Sequence, residues 1–121
     1  MLKNILYVGI GGFFGSSLRY IISKSLNSSF PFGTLFVNAI GSFILGFISY
    51  KLIKSTNIPQ EYILMFTTGF VGAFTTFSTY MLESYIFFTG DKFFSGILNI
   101  SINLILGLFL VHFGFQLAKS I

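Results

Sequence analysis

Cysteine is absent from the 121 residues, so disulfides and thiol chemistry are excluded. Acid is scarce as well. Three carboxylates and a single His leave too few ligands for a zinc or di-metal enzyme site. Charged residues of both signs make up only 8%, where a soluble domain carries about a quarter. With 54% hydrophobic residues and a mean hydropathy of +0.87, the composition is that of a membrane protein. The net charge of +4 is spread over single lysines. No basic cluster suggests nucleic acid, and the excess suits contact with anionic lipid headgroups. No nucleophile–base pair or metal constellation is visible, so nothing speaks for an enzyme.

A spanning helix needs about 20 mainly apolar residues. Four stretches qualify, roughly 2–25, 33–53, 61–89 and 93–118. The first runs past any signal-peptide core, contains Arg19 and lacks a small-residue cleavage site, so it reads as a span. Breakers separate the stretches: Asn27, Ser28, Ser29 and Pro31, then Asn57 and Pro59, then Gly90 and Asp91. No repeat or linker appears, and the spans leave no room for a soluble catalytic domain. The expectation is one all-α integral membrane domain, 1–121, of four transmembrane helices.

The third stretch is poorly built for a continuous helix. Within residues 69–80, GFVGAFTTFSTY, Gly69 and Gly72 cost backbone entropy, and Thr75, Thr76 and Thr79 are stiff at χ1. Threonine hydroxyls also capture backbone groups and bend helices. A break near 72–79 is expected, and unwound backbone at that depth must be buried in protein or line a polar cavity. Beyond it stand Phe77 and Tyr80, three apart on one face, with Ser78 and Thr79 between them and Glu83 further on.

Polar residues elsewhere leave alternatives open. Arg19 either snorkels to the interface or lines a vestibule that attracts anions. Asn38, mid-span, either glues helices by hydrogen bonds or offers its NH2 donors to a permeating species. Asn99 and Asn103, four apart, put two amides on one stripe, which suggests a wet or partner-facing side. His112 reads as interfacial or hydrogen-bonded. Gly11 and Gly15 form a GxxxG suited to close helix packing. Lysine counting orients the chain poorly. Lys3, Lys51, Lys54 and Lys119 fall on one side, against Lys24, Lys92 and Arg19 on the other. Either small proteins give noisy counts, or the chain inserts both ways and opposite-facing copies pair.

Three blocks, GGFFGSSLRY (11–20), GTLFVNAIGSFILG (33–46) and GFVGAFTTFSTYMLE (69–83), closely resemble the Fluc fluoride channels, also called CrcB. The resemblance covers nearly the whole chain. It implies a dual-topology antiparallel dimer with two fluoride pores, either a homodimer or a heterodimer with a related chain. It also implies passive fluoride export across the cell membrane. The third helix would be broken, with the backbone carbonyls of Gly72 and Thr75 holding a structural sodium ion that is not transported. By motif match the pore would be lined by Asn38, Phe77, Ser78, Thr79, Tyr80 and Glu83, with Arg19 in the vestibule. Tyr80 stands where the family usually has a second Phe. Asn99 and Asn103, at positions where it commonly has Tyr and Ser, would complete the pore lining.

Two other readings compete. A small multidrug-resistance-type exporter also has four spans and dual topology, but it needs a deep carboxylate, typically in the first helix. That helix has Arg19 and no acid, so Glu83 would have to substitute. A structural subunit without transport would explain the glycines and leave the amide and hydroxyl stripe idle.

Overall fold

The computed structural model describes residues 1–55 and 57–121. Its regular elements, among the described residues, are all helices. Helix α1 (Leu2–Leu26), α2 (Phe32–Lys54) and α6 (Phe93–Ser120) are each long and apolar enough to cross a bilayer. At about 1.5 Å per residue, even α2 reaches about 34 Å, more than a hydrocarbon core of ~30 Å. The remaining crossing is built from pieces: α3 (Gln60–Leu64), a π-helical segment (Met65–Val71), α4 (Gly72–Phe74) and α5 (Phe77–Thr89). The protein is a four-helix membrane-spanning bundle with its third helix broken.

The break is narrower than 72–79. Only Thr75 (φ −84°, ψ 161°) and Thr76 (φ −151°, ψ 124°) leave helical geometry, because Gly72–Phe74 stays helical and Phe77 opens α5. Thr75 ends the upper piece with its own hydroxyl, which donates to Val71 O at 3.0 Å. Thr76 starts the lower piece as its N-cap, its Oγ1 accepting from Thr79 N at 3.3 Å. The π-helical widening above the break was not expected. It places Gly69 on the wide turn, where its backbone meets Val8 and Gly11 of α1.

That contact explains the first GxxxG. A Cβ on Gly11 would overlap the Met65 carbonyl oxygen, and one on Gly15 would overlap the Phe70 carbonyl oxygen. Helix α1 therefore lies backbone to backbone on the segment above the break. Helices α2 and α6 form the other tight pair, and α5 packs on α6.

Loops are closed by local chemistry. Asn27 Oδ1 accepts from Gly33 N (2.8 Å) and Thr34 N (3.2 Å), serving N–H groups at the start of α2 that have no helical partner. Between α5 and α6, Asp91 rather than Gly90 takes the left-handed conformation (φ 58°). The Lys92 N–H then reaches Phe87 O at 2.9 Å, the 6→1 bond of a Schellman motif.

Polarity is inverted relative to a soluble protein. Leu6, Phe13, Phe14, Leu108 and Phe109 face outward, while Thr34, Thr76, Ser84, Asn99 and Asn103 are buried. In lipid an outward apolar side chain costs nothing, whereas a polar one must find a partner inside.

Candidate functional site at the helix break

Thr76 N would donate to Gly72 O in an unbroken helix. Here it donates to Asn38 Oδ1 at 2.8 Å, and Asn38 Nδ2 donates back to Thr76 O at 3.0 Å. The Asn38 side chain thus grips one peptide edge through both its donor and its acceptor. Thr79 N, which would have served Thr75 O, goes to Thr76 Oγ1. The carbonyls of Gly72 and Thr75 are thereby released from helical pairing.

Gly72 and Thr75 line a cavity of about 280 Å³ together with Asn38, Ser42, Phe77 and Tyr80. A Cβ on Gly72 would meet only Thr67 O, at 3.6 Å, so the backbone there is uncrowded. Hard oxygen donors on unwound backbone suit an alkali cation. Among the described residues no group of three His, Cys, Asp or Glu could hold a metal ion.

The aromatic pair is brought together but exposed unequally. Phe77 and Tyr80 meet edge to face (centroids 5.2 Å apart, 82°), with Phe77 69% exposed and Tyr80 only 4%. Ser78 is exposed beside them. A second cavity of about 270 Å³ lies against the break, lined by Ser16, Arg19, Tyr20, Ser23, Thr76 and Thr79. Thr76 borders both cavities, and Arg19 borders only the second. The ion pair found among the described residues, Lys3–Glu61 at 2.5 Å, leaves Arg19 without a carboxylate.

Asn99 and Asn103 face inward, and Asn103 also lines the first cavity. Asn99 is fully enclosed. Asn38 Nδ2 donates to Asn103 Oδ1 (2.9 Å), and Asn103 Nδ2 donates to Asn99 O (2.9 Å) and Oδ1 (3.2 Å). Asn99 Nδ2 then donates to Ser84 Oγ (3.0 Å) and Tyr80 O (3.3 Å), and Ser84 Oγ to Tyr80 O (2.7 Å). This ladder ties the break to the backbone of Tyr80, and it commits the amide donors of all three asparagines.

Glu83 lines neither cavity. Its Oε1 accepts from Thr34 Oγ1 (2.6 Å) and Asn27 Nδ2 (3.4 Å), while Oε2 is buried without a partner among the described residues. His112 is exposed on α6. Sequence reasoning assigned no role to Thr34, Ser84 or the Asn27 side chain. The bonds of Thr34 and Asn27 to Glu83 span 49 and 56 positions, so no local pattern marks them. The role of Thr76 was more accessible, since threonine is a preferred N-cap residue.

The family described as CrcB-like protein, Camphor Resistance (CrcB), matches residues 6–115. Similar curated proteins carry the name fluoride-specific ion channel FluC. One from Methanocaldococcus jannaschii is 46% identical, covering 100% of this chain and 98% of its own. One from Campylobacter lari is 43% identical over 98% of this chain and 100% of its own. One from Thermosipho africanus is 54% identical over 64% of this chain and 66% of its own. With long apolar helices throughout and a match of this extent, the chain is a multi-pass protein of the cell membrane and belongs to the Fluc (CrcB) fluoride-channel family.

Proposed function

We propose that this protein is a passive fluoride channel, assembled from two chains inserted in opposite directions, with a sodium ion held at the helix break. The observation that carries the reading is the diversion of Thr76 N to Asn38, which releases the Gly72 and Thr75 carbonyls inside a cavity bordered by Phe77 and Tyr80. The full-length similarity to proteins named fluoride-specific channels supplies the anion.

The sodium ion, when bound by the Gly72 and Thr75 carbonyls, neutralises their partial negative charge. Fluoride is small and holds its water tightly, so a pore must replace that water with donors. The exposed Phe77 ring presents a positive edge, and Ser78 offers a hydroxyl beside it. Thr79 and Arg19 share the second cavity, where the guanidinium raises local anion concentration. Asn38 acts through Thr76, and Asn103 and Asn99 brace it, because their donors are already engaged. Glu83 is held by Thr34 at the edge of this region. Facing copies of the chain, or this chain and a related one, would enclose the cavity from its open side. Fluoride then leaks down its gradient and cytoplasmic fluoride falls. The process uses no enzymatic chemistry.

Planar-bilayer recording tests this. In asymmetric sodium fluoride the current is expected to reverse at the fluoride equilibrium potential and to vanish when chloride replaces fluoride. Reversal that follows a proton gradient would instead support an exporter driven through Glu83.

A further inference from the structure

Hydroxyls in membrane helices usually donate to a carbonyl one turn back, because lipid offers no other acceptor. Ser16, Thr67, Thr75 and Ser84 do so, at 2.7, 2.8, 3.0 and 2.7 Å. Ser42 does not. It lies on α2 one turn beyond Asn38, borders the 280 Å³ cavity, and its hydroxyl has no partner among the described residues. Gly107 of α6 keeps the space beside it, since even a Cβ there would stay 3.6 Å from Ser42 Oγ.

The other side-chain donors of that cavity can be accounted for one by one. Asn38 and Asn103 are committed to each other, to Thr76 O and to Asn99. Thr67 and Thr75 are back-bonded, and Thr76 Oγ1 donates to Thr79 Oγ1 at 3.0 Å. Two hydroxyls remain uncommitted, those of Ser42 and Tyr80.

We propose that Ser42 is a fluoride-binding residue of the permeation path, its hydroxyl acting with that of Tyr80 as the free donors that replace water around the anion. This rests on the fluoride-channel reading and adds to it a residue on α2, one turn beyond Asn38. It also gives Tyr80 a role that phenylalanine could not fill. The burial of its ring and the amide ladder on its carbonyl fix the position of its hydroxyl.

Initial rates of fluoride efflux from liposomes, measured over a range of internal fluoride, test the assignment. Hydrogen bonds to a charged partner are strong enough that Ser42→Ala should lower the rate about tenfold or more and raise the half-saturating fluoride concentration. Ser42→Thr, which keeps the hydroxyl, should stay near the wild type. Tyr80→Phe should lose flux as Ser42→Ala does. If Ser42→Ala does not reconstitute, Ser42→Cys keeps the volume, weakens the donor and carries the same expectation. Wild-type rate and half-saturation in the Ser42 variants would overturn the assignment, as would a loss traced only to a shifted sodium requirement. A silent wild type would overturn the channel reading itself, a distinguishable result.

Discussion

The Asn38 amide does for Thr76 what a neighbouring strand would do, accepting from its N–H and donating to its C=O. Asn38→Asp keeps the acceptor and removes both donors, leaving an oxygen against Thr76 O and Asn103 Oδ1. The expected loss is about 3 kcal/mol, since breaking buried pairs costs roughly 1–3 kcal/mol per stranded group. Thermal unfolding in detergent reads it, and an unchanged midpoint would remove Asn38 from the support of the break. Phe77 belongs to the opposite case, with 69% of its surface exposed and little packing to lose. Phe77→Ile should abolish fluoride flux with the folded assembly intact by size-exclusion chromatography; undiminished flux would take the ring out of the path. A mid-span asparagine is legible in sequence as either glue or donor. The Thr76 and Asn103 distances show the hydrogen bonding that sequence leaves open, because the partners sit 38 and 65 positions away, and the same side chain borders the cavity. Asn99 and Asn103 pose the same question. Their stripe is genuine, but periodicity does not say whether a polar stripe meets water or another polar stripe.

At the scale of elements, the third helix was legible as broken because glycine and threonine cluster where a span needs continuity. The π-helical segment above the break was not, since the close approach of α1 that accompanies it brings together residues far apart in the chain. Gly11 and Gly15 let that contact form, with the Met65 and Phe70 carbonyls at the positions a side chain would need. Gly15→Leu should therefore push α1 off the third helix. Overpacking of this kind typically costs about 1–3 kcal/mol and more where backbone is struck. Loss of the folded species in detergent is the expected readout, and a wild-type elution profile would contradict the packing account. The break itself bears on ion dependence. Replacing sodium by a large organic cation during purification and assay should remove fluoride flux, and readdition of sodium should restore it. Full activity after exhaustive sodium removal would leave Gly72 and Thr75 without the role proposed for them.

On the scale of the whole molecule, the chain shows an outside more apolar than its inside and a central cavity open on one side. The charge count, four lysines against Lys24, Lys92 and Arg19, sets no single orientation under the positive-inside rule. The all-α bundle could be read from hydropathy alone, because a membrane admits so few architectures. The placement of Arg19 and the aromatic pair in separate cavities could not, as it depends on how α1 crosses the break. The most direct test of the account is fluoride release, followed with a fluoride electrode, from liposomes holding this chain alone and loaded with potassium fluoride, with sodium present on both sides. When a potassium ionophore relieves the membrane potential, the account predicts rapid release of fluoride with chloride retained. Intact, correctly reconstituted protein that releases no fluoride, with or without a related partner chain, would contradict it.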